Sequence, residues 1–388
     1  MLWKYIDLLS SASDIILKTF LALFLWETAE NLYPILIFSV AYFAAIPLAS
    51  LIGGALSNAI APKISMLSGI WMQVAQIILI IVLASSLDTF LLILIGIIGG
   101  LGEGFKNIAI RDIADQTRSH TNEAKYYTER SIQNELLRLF IPLSCALLIG
   151  TGTTGYTVIF QISVLLLVAE SLLTSLVQVQ NKSTDFNLKE ILTIPGTNPN
   201  KATLIKGVFM EGLSEGVTLT ILPIIILVFV GSILNWSILN TALVLISIFA
   251  SLMIEQIIND TNSKSLYAIG ALLYASASLF FIARYNFYIL AIFLIAKTLM
   301  FVIKDAGYYG SIDKLMAQDK NETSLFSEYQ FLIDLVTSIA RLIPLILLII
   351  LGINIKDETL IRVMLIGLGL VPLFTLTMLG KSVPSSDL

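Results

Sequence analysis

The chain has 388 residues, 57% of them hydrophobic and only 13% charged, with a mean hydropathy of +0.90. Soluble globular domains carry roughly 25% charged residues, so this composition excludes a soluble domain and points to an integral membrane protein. A formal net charge of −4, one cysteine, one histidine and no basic run interleaved with aromatics give no basis for a nucleic-acid surface, an intrachain disulfide or a thiolate metal cluster.

Apolar stretches of about 18 to 25 residues, long enough to cross a ~30 Å hydrocarbon core as helices, recur along nearly the whole chain. Twelve spans are expected, with cores at 8–26, 35–57, 65–86, 89–110, 131–150 and 157–178, then 207–230, 238–258, 265–283, 287–307, 330–353 and 360–380. The first is interrupted by Ser10, Ser11, Ser13, Asp14 and Lys18. Residues Met1 to Asp7 lack a basic leader and no small-residue cleavage site follows, so this helix is expected to stay in the mature protein. In the fourth span Gly99, Gly100, Gly102 and Gly104 make a small-residue face suited to close helix approach; without a preceding strand or a following Gly-Lys-Ser/Thr they are not a phosphate loop. Cys145 in the fifth span reads as a packing residue and His120 as a solvated one. Trp3, Trp26, Trp71 and Trp236 fall near expected helix ends and suit an interfacial belt.

Between the sixth and seventh spans lies the longest polar stretch, with Pro195-Gly196 and Asn198-Pro199 as helix breakers. The expected organisation is therefore an N-terminal six-helix bundle over 1–180, a linker over 181–206 and a C-terminal six-helix bundle over 207–388. Lysine and arginine gather in alternate loops, at Lys63, at Arg111, Arg118, Lys125 and Arg130, at Lys182, Lys189 and Lys201, at Lys264, and at Lys314 and Lys320. The opposite loops offer little beyond Arg284 and Lys356. The positive-inside rule then places both termini in the cytoplasm. The sequons at Asn181 and Asn321 fall on that side and carry no glycosylation signal.

The second half repeats the first. Lys106-Asn107 with Asp115 nine residues after the lysine returns as Lys304-Asp305 with Asp313, an offset of about 198. Asp14, Lys63 and Gly69 return as Glu215, Lys264 and Gly270 at about 201, and Pro142 with Gly150 as Pro344 with Gly352 at about 202. The matches are collinear, as expected for a duplicated six-helix unit.

Twelve helices in two halves, with a central linker and short loops, resemble the major facilitator superfamily over essentially the whole chain. The resemblance implies an all-α membrane fold of two pseudo-two-fold-related bundles, a secondary transporter working by alternating access, and a central cavity lined by helices 1, 4, 5, 7, 10 and 11. The superfamily's signature between helices 2 and 3, G-x-x-x-D-[RK]-x-G-[RK]-[RK], falls on Gly54 to Lys63, where only Gly54 and Lys63 fit. Asn58 replaces the aspartate, and Ala59, Ala61 and Pro62 replace a base, the glycine and another base. A loop latch built on those charges is not expected here.

Ionised groups within the membrane are costly and mark cavities or partners. Asp14 and Lys18 are four apart, Glu103 and Lys106 three apart, and Glu135 and Arg138 three apart, each pair on one helix face. Asp334 and Arg341, and Lys297 and Lys304, are seven apart, two turns along one face. The expected substrate-binding residues are Lys18, Lys106, Arg138, Lys297, Lys304 and Arg341, with Lys106 and Lys304 opposed across the cavity as point charges for an anion. Mutual neutralisation within each helix pair is the plainer reading of the same residues. Asp14, Glu103 and Glu215 are the expected proton-coupling residues, because Glu211 places a like charge one turn from Glu215. Alternatively, Glu211 sits at the cytoplasmic interface beside Lys206; Glu170, Glu27 and Glu30 suit gates, with interfacial solvation explaining Glu27 and Glu30 equally.

The expected function is alternating-access transport of a small polar solute, anionic or zwitterionic, across the cytoplasmic membrane. Protons are a further expected partner; no cofactor, metal or nucleic acid is expected, catalysis is not, and a monomer suffices. A lipid or amphiphile flippase and a non-transporting receptor or scaffold on the same fold stand as alternatives.

Overall fold

The computed structural model describes residues 2–83, 88–117, 123–150, 155–179, 199–257, 263–304, 326–352, 355 and 357–379. Their regular structure is helical throughout. The first half comprises α1 (Leu2–Ala29), α2 (Leu32–Ala59), α3 (Pro62–Leu83), α4 (Thr89–Thr117), α5 (Glu123–Ile149) and α6 (Gly155–Leu176). The second comprises α7a (Pro199–Thr220), α7b (Leu222–Val230), α8 (Ile233–Ile257), α9 (Ser263–Ala283), α10 (Phe287–Lys304), α11 (Phe326–Ile350) and α12 (Glu358–Leu379). Among the described residues eleven stretches are long and apolar enough to cross a membrane, α7a and α7b together supplying one of them over Ile205–Val230. The twelfth expected span, α5, has 27 residues, more than the roughly 20 a crossing needs. Glu135 and Arg138 are among the charges that dilute its apolar character.

Three expectations change. The first helix begins at Leu2 rather than near residue 8, and its polar interruptions are absorbed inside the bundle: Ser10 and Ser13 are buried, with the Ser13 hydroxyl donating to the Ser10 carbonyl at 2.9 Å. The seventh span begins at Pro199, inside the segment read as linker, and breaks at Ile221 (φ −101°, ψ −37°). Pro223 has no N–H to give the Leu219 carbonyl, so the helix cannot run straight through. Trp236 and Trp3 are buried at 5% and 6% exposure, leaving Trp71, at 54%, as the belt-like tryptophan of the three. Trp236 packs edge-on against Phe20 of the other half at 6.3 Å between ring centroids. The 181–198 part of the expected linker, His120, Asp305, Asp313, both sequons and the loop cations Arg118, Lys182, Lys189, Lys314, Lys320 and Lys356 lie outside the described residues.

The glycines of α4 set the spacing of the first half. A Cβ on Gly96, Gly100 or Gly104 would lie 2.6, 2.0 or 2.3 Å from the α2 carbonyls of Phe38, Tyr42 and Ile46. One on Gly102 would sit 3.0 Å from the Gly69 carbonyl of α3. The backbones therefore touch, as small-residue faces permit.

Packing repeats as the sequence does. Within the first half α1 packs on α5 and α6, α3 on α4 and α6, and α2 on α4; within the second α7a packs on α11 and α12, α9 on α10 and α12, and α8 on α10. Between halves, α2 meets α11 and α5 meets α8, contacts that exchange under a two-fold relation. At one seam the Ser50 hydroxyl donates to Asp334, which also accepts from Gln330 at 2.8 Å. At the other the Ser237 hydroxyl donates to the Pro142 carbonyl at 3.1 Å. A cavity lies between these seams.

Candidate functional site

The central cavity has two chambers. The first, about 360 Å³, is walled by α1 to α4 of one half and by α7a and α9 to α12 of the other. The second, about 530 Å³, lies among α1, α5, α7, α8 and α10. Asp14, Lys18, Thr218, Leu219, Lys297 and Phe301 line both, so the two chambers adjoin at these residues.

Most of the expected site residues converge here. Asp14, Lys18, Glu103, Glu215, Lys297, Lys304 and Arg341 line the first chamber, and Arg138 lines the second beside Asp14, Lys18 and Lys297. Lys106 does not reach either chamber. Its side chain is 1% exposed and turns into the first half, where its ammonium donates to Asp14 of α1 at 3.2 Å, Gln73 of α3 at 3.3 Å and Glu170 of α6 at 3.4 Å. The contact of Gly69 with α4, where a Cβ would lie 2.8 Å from the Lys106 nitrogen of the backbone, explains the placement: it brings α3 close enough for Gln73, one turn on, to meet Lys106. The picture of Lys106 and Lys304 as opposed cations gripping one anion therefore does not hold.

Charge pairing crosses helices more than it follows them. Glu103 and Lys106 share a helix face but take different partners: Glu103 accepts from Lys18 at 2.8 Å while Lys106 turns to Asp14 and Glu170. Asp14 and Lys18 do pair, at 3.6 Å, and Glu135 pairs with Arg138 at 3.4 Å on the face of α5 that lines the second chamber. Arg341 donates to Glu215 at 2.7 Å instead of to Asp334, and its guanidinium lies 5.0 Å from the centre of the Phe43 ring across the interface of the halves. Glu211 is not an interfacial residue; it is 8% exposed and accepts from Lys304 at 2.8 Å and from the Tyr267 hydroxyl at 3.5 Å. The two like charges of α7a are thus held by different cations, one from α10 and one from α11.

One ammonium stands apart. Lys297 lines both chambers and has no carboxylate at ion-pair distance among the described residues; the charged groups that bear on it are Lys304 and Arg138, both cations. The Phe301 ring is near both, its centre 5.3 Å from the Lys304 ammonium and 5.8 Å from the Arg138 guanidinium. An unpaired cation within a membrane-embedded cavity is costly unless a counter-charge or water reaches it.

Sequence reasoning undervalued Glu170, read as a gate. Its side chain is 0% exposed; Lys106 meets one carboxyl oxygen and the Ser10 hydroxyl also bears on the group, while the other oxygen has no hydrogen-bond partner at bonding geometry among the described residues. The presence of an acid in an otherwise apolar span was the available signal; its partner was not visible. Phe301 and Gln73 carried no signal beyond an aromatic and an amide in apolar spans.

No protein-family model matches the chain. A curated relative, "Uncharacterized protein YqgE" of Bacillus subtilis (strain 168), is 19% identical over 358 residues, covering 91% of this chain and 82% of the relative. Solved structures match over nearly the full length. A point mutant of nucleoside transporter NupG superposes with a TM-score of 0.73 at 11% identity, covering 98% of this chain and 100% of that one. A bacterial homologue of the iron transporter ferroportin, in an outward-facing state with soaked iron, gives 0.72 at 13% over 100% and 98%. The D-xylose-proton symporter gives 0.70 at 14% over 100% and 97%. At such identities the likeness is one of fold: this is a multi-pass membrane protein with the major facilitator fold.

Proposed function

We propose that the protein is a secondary transporter that carries a small organic anion by alternating access, the anionic group seated on Lys297, together with a proton. The observation that carries this reading is the Lys297 ammonium, a cavity-wall cation without a protein counter-ion among the described residues. A solute anion would supply the missing partner, and the fold shared with a nucleoside transporter and a D-xylose-proton symporter favours transport over a static receptor. In this reading both termini lie in the cytoplasm, where the lysine- and arginine-rich loops belong.

The proton follows from a charge balance. Among the described residues, the carboxylates of Asp14, Glu103 and Glu170 have ion pairs with two cations, Lys18 and Lys106. A surplus buried charge is expensive, and Glu170, fully buried with an unpartnered oxygen, is the group that a proton would satisfy. Asp14, Glu103 and Glu215 are each already held by a cation. With Glu170 neutral, the charged groups around the cavity sum in favour of a bound anion. When it ionises, the added negative charge opposes the anion. Anion and proton affinities are then linked, and by the same factor in both directions.

The test is a thermal-stability screen of purified protein against acetate, lactate, succinate, benzoate and inorganic phosphate, followed by uptake of the best stabiliser into proteoliposomes with the outside acidic. Uptake that rises with the pH gradient and is lost in Lys297→Gln is expected. Binding with unchanged affinity in Lys297→Gln would sink the anion seat, and binding without uptake would favour a receptor.

A further inference from the structure

The two chambers differ in chemistry, and the difference bears on what the solute looks like. Apart from Lys297, the first chamber presents seven charged side chains, among them the ion pairs Lys18–Glu103, Lys304–Glu211 and Arg341–Glu215. Leu17, Leu21, Ile35, Phe38 and Phe43 line the same chamber, but an apolar group filling it would also strip water from these pairs without offering hydrogen bonds, an unfavourable exchange. The charges of the second chamber are confined to α1, α5 and α10. Its far wall, from α7b and α8, is built of Leu222, Ile226, Trp236, Leu243 and Val244, interrupted by Asn240 and Ser247. Its volume of about 530 Å³ falls within the range of roughly 300 to 1,000 Å³ of small-molecule sites.

We propose that the solute is a two-part amphiphilic anion, its anionic group at Lys297 and its apolar or aromatic body lying in the second chamber against Trp236, Leu243 and Val244. This rests on the anion seat proposed above and adds the chemistry of the rest of the molecule. Lys297 lies on the wall common to both chambers, so a group bound to it has the charged chamber on one side and the apolar wall on the other. Arg138 enters the second chamber from the opposite helix, and with Lys297 it brackets the place where a carboxylate or phosphonate would sit. The break in the seventh span is at the same wall: Leu219 lines both chambers, and its carbonyl has no donor at Pro223.

The experiment is a chain-length series in lipid nanodiscs: acetate, butanoate, hexanoate and naphthoate, with hexylphosphonate as the second anionic head and hexanamide as the uncharged control. Binding is read from the fluorescence of Trp236 in a Trp3→Phe, Trp26→Phe, Trp71→Phe background. Each added methylene should tighten binding about threefold if most of it leaves water. Hexanamide should bind at least about tenfold more weakly than hexanoate, and the comparison with hexylphosphonate identifies the preferred head. Val244→Phe, or Leu243→Phe if the first prevents folding, should flatten the chain-length dependence while acetate binding persists. Equal affinity across the series, or a length dependence unaffected by filling the second chamber, overturns the two-part solute while leaving the Lys297 seat standing. Loss of discrimination between hexanoate and hexanamide in the unsubstituted protein would instead remove the seat itself.

Discussion

The two halves share one packing plan but not one charge balance. In the first half, two ammonium groups face three carboxylates, and one of these cations, Lys106, is buried behind the cavity wall. On the second half's side of the first chamber, Lys297, Lys304 and Arg341 face only Glu211 and Glu215. Even the matched lysines differ. Lys106 meets the acid of α1 that its duplication partner would predict, whereas Lys304 meets Glu211, one turn before Glu215, leaving Glu215 to Arg341. Duplication thus preserved the helix contacts while the charges diverged, and the cavity acquired one wall with surplus acid and one with surplus base. In the proposed function the anion takes the basic wall, and the proton takes Glu170, which is buried and lines neither chamber.

The largest expected effect of breaking this comparison is on the first half's network. Lys106→Leu would leave Asp14 and Glu170 facing each other without their shared cation, and removing one partner of a buried pair costs about 3–5 kcal/mol. A marked fall in melting temperature and in yield of monodisperse protein is expected. Partial recovery in Lys106→Leu/Glu170→Leu should follow if the surplus acid is the cause, and no recovery would place the loss in packing rather than charge.

A smaller effect, on coupling rather than folding, is expected at Glu170. Glu170→Gln keeps the shape and mimics the protonated acid, so the melting temperature should hold while pH-driven accumulation disappears and exchange of solute down its own gradient continues. Glu103→Gln, by contrast, leaves Lys18 with Asp14 alone and should weaken solute binding as well. If Glu170→Gln accumulates solute normally and Glu215→Gln or Asp14→Asn does not, the proton belongs to the acids expected from sequence.

The ion pair of α5 should matter least to stability. Arg138 and Glu135 are 46% and 19% exposed in their side chains, and exposed pairs contribute about 0–1 kcal/mol. Arg138→Gln should therefore shift the melting temperature by no more than about a degree or two. A loss of anion affinity without that shift would assign Arg138 to the solute; a parallel loss of both would make it a packing element of α5.

Hydropathy alone placed the spans, because a helix facing lipid must be apolar over about 20 residues whatever it packs against. The repeat of Lys106 as Lys304 and Pro142 as Pro344 likewise needed only the sequence, since collinear matches survive without coordinates. The small-residue face of α4 was legible for the same reason: a glycine stripe at helical spacing has no other packing use than close approach. Partners were another matter. Helical periodicity identifies neighbours three and four residues apart, and it paired Asp14 with Lys18 and Glu135 with Arg138. It also paired Glu103 with Lys106, where tertiary packing brought Lys18 to the first and residues 92 and 64 positions away to the second. Desolvation makes each buried charge take the nearest opposite charge on any helix, and which helices are near is decided by backbone contacts such as Gly69 against α4. The same holds for Trp236, which hydropathy assigns to an interface and the meeting of α1 with α8 places in the core. Sequence determined that this chain would carry cations into the membrane; only the tertiary structure decided that Lys106 would be consumed by three acceptors and Lys297 left facing the cavity with no carboxylate partner among the described residues.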